Sequence, residues 1–337
     1  MTVSRKKKTT LLPRKSLSEK NLSEKLFPGK PLSEKPKVIV ILGPTASGKT
    51  KLGVKLAHDF KGEIISADSR QVYIGMDIGT GKDLAKYKIN GKKIAYHLID
   101  VVSPKVKFNL ARYQRLALKE IDNILKRQKV PFIVGGTGLY IQALTDNYRL
   151  SSFKSSAKER LALEKLGAAK LFKLITKAKP EFAARLNNSE RHNARRLARY
   201  LEIINSGQEF GSINKEPKFS FLILGLDISD DKMRAKIKKR LKVRLEKEGL
   251  IEEVKRLRES GVSFQRLISF GLEYKFVAYY LQNKISYSEL EEQLETAIYR
   301  FAKKQKTWFK RFEKQGGKII WIKNEKEARR AIKDFLA

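Results

Sequence analysis

Lys37-Val-Ile-Val-Ile-Leu-Gly43-Pro44-Thr45-Ala46-Ser47-Gly48-Lys49-Thr50 decides the fold. The five-residue apolar run Val38 to Leu42 predicts a strand buried on both faces. Gly43 to Thr50 matches G-x-x-x-x-G-K-[ST] in full, and Leu52, Leu56 and Phe60 then recur at the i+4 spacing of a helix. Strand, glycine-rich turn and helix are the context in which that motif cradles phosphates. Main-chain N–H groups and the helix N-terminus surround the anion, Lys49 neutralises it, and the Thr50 hydroxyl is placed to hold Mg2+. The loop does not say which phosphate compound it takes.

Outward from this stretch, apolar runs alternate with amphipathic ones. Glu63 to Ala67 predicts a second strand, Ile94 to Ile99 a third and Val130 to Val134 a fourth; a long helix starts near Asn109. Between about Tyr148 and Pro217 the strand signal vanishes and Leu, Lys, Arg and Ala take helical spacing. Phe219 to Leu226 restores a strand, Asp230 to Phe312 is basic and helical, and Lys318 to Ile322 is a last short strand. Strands alternating with helices predict a mostly parallel sheet with helices on both faces, an α/β fold like that of the P-loop NTPases. Four regions are expected: a basic tail (1–36), the first part of the core (37–147), an all-helical insertion (148–217), and core completion with a basic helical C-terminal region (218–337). In the tail, Arg5 to Lys8 is a basic run, and Leu-Ser-Glu-Lys recurs at Leu17, Leu22 and Leu32 among prolines. This composition is that of a disordered segment.

In such a fold ligands bind beyond the carboxyl ends of strands, and three strand ends carry chemical groups. Asp68 follows the second strand; holding Mg2+, capping a turn or accepting a proton are equally open from its position. Asp100 closes the third strand and competes for the metal. Thr137 lies among Gly135, Gly136 and Gly138 after the fourth, as a ligand contact or as a helix cap. His97 reads as structural. The chain has no cysteine and no histidine pair at ligand spacing, which excludes disulfides, thiolate metal sites and a cysteine nucleophile. No apolar run is long enough to span a bilayer, so a cytoplasmic protein is expected. The formal charge of +37, from 73 Lys and Arg against 36 Asp and Glu, suits a polyanionic partner, nucleic acid first.

Together these residues resemble the tRNA dimethylallyltransferases, or tRNA isopentenyltransferases. The resemblance runs through Gly43 to Thr50, Ile65 to Lys82, Tyr96 to Pro104, Gly135 to Leu144, Asn193 to Ile203 and Arg300 to Phe312. It implies transfer of the dimethylallyl group of dimethylallyl diphosphate to N6 of the adenosine 3′-adjacent to the anticodon, in tRNAs reading codons that begin with U. It also implies Mg2+ as cofactor and a monomeric enzyme. Asp68 becomes the general base and Thr137 a hydrogen-bonding partner at the reacting centre. Gly43 to Thr50 and Lys236 would hold the diphosphate, so no ATP hydrolysis is required. Asp68, Ser69, Arg70 and Gln71 would meet the flipped adenine. Arg160, Arg195, Arg196, Leu197, Ala198, Arg199, Lys303, Lys304, Gln305, Trp308 and Lys310 would bind tRNA, the basic ones through phosphates. Two departures stand out: Lys236-Ile237 where the family usually has Arg-Ile, and Gly271-Leu-Glu-Tyr-Lys275 where it often has Gly-Tyr-Lys-Glu. The competing readings are a small-molecule or nucleoside monophosphate kinase, a nucleic-acid-binding ATPase, and a prenyltransferase acting on free AMP.

Overall fold

The computed structural model describes residues 35–148, 150, 156–207 and 216–337. The basic run Arg5 to Lys8, the Leu-Ser-Glu-Lys repeats and parts of the insertion, 151–155 and 208–215, lie outside the described residues. The strands are β1 (Lys37–Leu42), β2 (Gly62–Ala67), β3 (Lys88–Ile89), β4 (Lys92–Lys93), β5 (Tyr96–His97), β6 (Val130–Gly135), β7 (Ser220–Leu226) and β8 (Ile320–Ile322). Six of them form one sheet in the order β5-β2-β6-β1-β7-β8, with every pairing parallel. In register, Leu42 stands opposite Gly135 and Gly225, so the phosphate-loop strand is central and its exit is flanked by two others.

A parallel strand covered on both faces needs apolar side chains at every position, and β1 divides its own between two cores. Val38, Val40 and Leu42 face α2 (Leu110–Lys126), α3 (Gly138–Thr145) and the aromatic end of a later helix, through Tyr113, Ala117, Ile141 and Phe309. Ile39 and Ile41 face α1 (Lys49–Asp59) and a terminal helix through Val54, Leu56, Ala328 and Ile332. Asn109 starts α2 as its N-cap, its side chain accepting the Arg112 N–H at 2.9 Å.

The third strand is shorter than the apolar run Ile94 to Ile99 predicts. Leu98 (φ 60°) and Asp100 (φ 56°) take left-handed backbone that ends the pairing after His97. The small β3–β4 hairpin was not expected. Its turn is Asn90-Gly91 with φ of 47° and 77°, the residue pair that a two-residue hairpin turn favours.

After β6 come α4 (Ala157–Lys165), α5 (Gly167–Ala178), α6 (Pro180–Arg185), α7 (Asn188–Arg191) and α8 (Ala194–Asn205), gathered round a separate cluster of Leu171, Ile175, Leu186, Leu197 and Leu201. After β7 come α9 (Asp230–Glu246), α10 (Leu250–Glu259), α11 (Phe264–Ser269), α12 (Leu272–Tyr280), the 28-residue α13 (Tyr287–Lys314) and, past β8, α14 (Glu325–Leu336). A Ser286/Glu289 capping box starts α13. No helix among the described residues is long and apolar enough to cross a membrane.

Candidate active site

The phosphate loop owes its shape to two left-handed residues, Ala46 (φ 67°) and Gly48 (φ 96°), the latter capping α1. At Gly43 an added Cβ would lie 2.7 Å from Ser47 Oγ, so the loop closes on a residue with no side chain. Ser47 Oγ itself is buried without a hydrogen-bond partner among the described residues, and Lys49 Nζ donates to Pro44 O at 3.3 Å. Burial pushes the Lys49 ammonium down to about 8; Asp68 opposes that shift and Arg240 adds to it.

Asp68, Thr50 and Lys49 line one cavity of about 250 Å3 at the carboxyl end of the sheet. Lys236, Arg240 and Arg244, one helical turn apart on α9, bring positive charge to its wall, while Val134, Leu272, Ile298 and Phe301 add apolar surface. Asp68 Oδ1 accepts the Arg70 N–H at 2.9 Å, and Asp68 makes no ion pair among the described residues. The Thr137 hydroxyl oxygen accepts the Ser69 N–H at 3.0 Å, and Thr137 N donates to Ala67 O at 3.0 Å, which ties the ends of β2 and β6 together. Their closeness requires Gly135, where a Cβ would lie 2.3 Å from Ala67 O.

Several sequence-predicted residues are placed where their side chains are already occupied. Gln71 is buried; its amide accepts from Ser66 Oγ at 2.9 Å and donates to Gly81 O at 3.2 Å. Gln305 is buried too. It accepts the Thr45 N–H at 2.8 Å and donates to Gly136 O at 2.9 Å, so it joins α13 to the phosphate loop and its amide is not presented to RNA. Leu197 and Ala198 are fully buried in the insertion's core, which removes them as side-chain contacts to tRNA. Asp100 is paired with the buried ammonium of Lys82, as is Asp77 at 2.6 Å, and it does not line the cavity; its candidacy for the metal is withdrawn. His97 lies between Glu63 at 2.7 Å and Glu120 at 3.4 Å, a structural position.

The basic residues divide in the same way. Arg160 and Arg199 reach Glu202 at 2.8 and 3.3 Å, and Arg196 reaches Glu190 at 3.6 Å. Arg195 is exposed and has no ion pair among the described residues. On α13, Lys303 pairs with Asp230 at 3.0 Å, whereas Lys304 and Lys310 are exposed. Trp308 stacks on Phe312, centroids 5.5 Å apart, and covers Gly138 so closely that a Cβ there would lie 2.2 Å from its ring.

Sequence reasoning missed Arg240, Arg244, Glu253 and Glu273. The i, i+4, i+8 spacing of Lys236, Arg240 and Arg244 was the available signal for the first two. Glu253 is buried and accepts three successive main-chain N–H groups, from Asp77, Ile78 and Gly79, at 2.6 to 3.1 Å, as well as the Tyr274 hydroxyl at 2.8 Å. It shapes the loop that brings Thr80 and Gly81 to the cavity. Glu273 is buried between Arg70 at 2.7 Å and Arg244 at 3.4 Å. Burial alone would favour its neutral form, but the two guanidiniums hold its carboxyl below the usual range.

Comparisons with known proteins bear on this site as a whole. The family model described as IPP transferase matches residues 71–312. A tRNA dimethylallyltransferase 1 of Syntrophus aciditrophicus is 45% identical over 290 residues, covering 86% of this chain and 94% of its own length. A tRNA dimethylallyltransferase 2 of Phocaeicola vulgatus is 43% identical, covering 86% and 93%. Among solved structures, a full-length tRNA isopentenylpyrophosphate transferase of Bacillus halodurans is 33% identical with a TM-score of 0.64, covering 90% of this chain and 97% of its own. A eukaryotic dimethylallyltransferase described as acting on tRNA is 25% identical with a TM-score of 0.70, covering 85% and 73%.

Proposed function

Because the chain belongs to the IPP transferase family, that of the tRNA dimethylallyltransferases, we propose that it moves a dimethylallyl group from dimethylallyl diphosphate to N6 of the adenosine 3′-adjacent to the anticodon. The observation that carries this reading is a single cavity lined by the phosphate-loop residues Thr45, Ala46 and Gly48 to Thr50 and by Asp68, an acid with no ion pair among the described residues, with apolar surface from α13 beside them. Phosphate binding alone would not need that acid. A small phosphorylated substrate would not need the exposed cations of α8 and α13.

In the reaction, the lone pair of adenine N6 forms a bond to the allylic carbon as the carbon–oxygen bond to diphosphate breaks. The bonding electrons leave with the diphosphate, and the surplus N6 proton passes to Asp68. That lone pair is delocalised into the purine ring, so the amine becomes an effective nucleophile only as a base removes its proton. Asp68 is oriented for this by the Arg70 N–H on Oδ1. Thr137 lies behind the cavity wall rather than in it; its hydroxyl, whose oxygen is engaged by Ser69 N–H, retains a proton that it would donate toward the reacting centre once the adenine is seated. Charge accumulating on the diphosphate is met by loop N–H groups, Lys49 and the α9 ladder of Lys236, Arg240 and Arg244. Thr45 N–H, given to Gln305, is not among these donors.

The donor set also suits a magnesium ion that arrives with the diphosphate. Among the described residues no three acidic or histidine side chains cluster to hold a metal, while the Thr50 hydroxyl lines the cavity at the start of α1. Such an ion would supply further neutralisation of the leaving group. A cytoplasmic setting and a monomeric chain complete the reading.

Radiolabelled dimethylallyl diphosphate offered separately with an anticodon stem-loop, AMP and ATP tests it. Label should enter the stem-loop alone. Label in AMP would move the assignment to free-nucleotide prenylation, and phosphate release from ATP without transfer would make it a kinase or ATPase.

A further inference from the structure

The Gly271 to Lys275 departure puts a carboxylate into the cavity wall. Gly271 (φ 71°) and Leu272 (φ 43°) both occupy the left-handed region, which a residue carrying a Cβ enters at a cost, and both directly precede Glu273 at the start of α12. The cost falls on Leu272, since glycine enters positive φ freely. The Glu273 side chain is 2% exposed; Arg70 and Arg244, on either side of it, are 17% and 4% exposed. Room for Arg244 comes from Gly81, where a Cβ would lie 2.3 Å from its Nη2. Three charged side chains from three elements are thus packed with little solvent, which requires each to have its partner in place.

Arg244 belongs to the diphosphate side of the cavity, and Arg70 is the member of this triad that reaches Asp68. Its side chain is held by Glu273, and its main-chain N–H is the donor that orients Asp68. We infer that Glu273 is a positioning residue for transfer, fixing Arg70 and, through it, Asp68 against the face where the adenine is presented. The inference rests on the reaction proposed above. It assigns a task to a carboxylate standing in a segment where the resemblance leads one to look for Gly-Tyr-Lys-Glu.

A double-mutant cycle on the full chain tests it, using Glu273→Gln, Arg70→Ala and the pair, with single-turnover transfer to an anticodon stem-loop as readout. Glu273→Gln should slow transfer about tenfold; because Glu273 also pairs with Arg244, affinity for dimethylallyl diphosphate is measured alongside, and the slowing should persist at saturating donor. With Arg70 already Ala, the same change should alter the rate less than about twofold, because the guanidinium that links Glu273 to Asp68 is gone and only Arg244 remains beside it. Equal slowing in both backgrounds would mean that Glu273 only supports the fold and would overturn the inference, as would no slowing in the first. If Glu273→Gln loses its cooperative thermal transition, Glu273→Asp, which keeps the charge but withdraws the carboxylate, is carried through the same cycle with the same criteria. A failure of the unsubstituted enzyme to label the stem-loop would instead overturn the reaction assignment, and this inference with it.

Discussion

Strand β2 carries a carboxylate at each end, and the two have opposite fates. Glu63, where the strand enters the sheet, is surrounded by His97 at 2.7 Å, Arg127 at 2.7 Å and Lys129 at 3.2 Å. Burial works against its charge, but hydrogen bonds from Arg127, His97 and Lys129 outweigh it and push the carboxyl down to about 2. Asp68, just past the strand's exit, has one backbone N–H on it, no ion pair among the described residues, and a cavity in front of it. An acid whose oxygens are all engaged contributes to stability; one with acceptor capacity left at a cavity can take a proton. Residue type is thus less informative than how much of a side chain's bonding capacity its neighbours have used.

The strongest way to break this contrast is Asp68→Ala. Transfer should fall by about two to four orders of magnitude, the usual contribution of a general base, with stem-loop binding retained; unchanged single-turnover transfer would remove Asp68 from the chemistry. A smaller effect is expected at Lys49, the cation facing Asp68 across the cavity. In the free protein it is protonated below about 8, and the bound diphosphate favours the ammonium. Affinity for dimethylallyl diphosphate should therefore be flat on the acid side and weaken as pH rises through about 8, approaching about tenfold per pH unit. Titration calorimetry across that range checks the sign, and Lys49→Arg should flatten the profile. The mildest effect on turnover belongs to the other end of the strand. Glu63→Gln should leave transfer per folded molecule unchanged and cost about 1 to 2 kcal/mol of stability, since Arg127 and Lys129 reach solvent. The folded-state value of Glu63 lies below the ordinary 4.5, so its contribution is present above that pH and lost as pH falls toward about 2. Acid-unfolding curves of the variant should lose slope in that window.

The strands and helices of the core were legible because each repeats a local pattern. The apolar run of β1, the i+4 spacing of α1 and the asparagine before α2 are read within a few residues. Asp68 and Thr137 were legible by position, at the ends of strands already located. Residues recruited from the distant helices were not, since nothing near Glu253 or Glu273 in the chain indicates that Ile78 or Arg70 lies against it. Exposure was equally hidden. Lys304 and Lys310 face solvent while Gln305, between them in sequence, is buried, and only the phase of α13 against the sheet decides which is which.

That phase has a consequence for how such a chain can diverge. Ala302, Gln305, Phe309 and Phe312 point inward along a helix about 42 Å long at 1.5 Å per residue, with cationic neighbours pointing outward. Adding or deleting one residue between Phe301 and Phe312 would rotate everything beyond it by about 100°. Aromatic rings would then meet solvent, and lysines would be driven under the sheet. Lineages sharing this architecture should accordingly vary in length at their connecting loops while holding the residue count of this segment fixed.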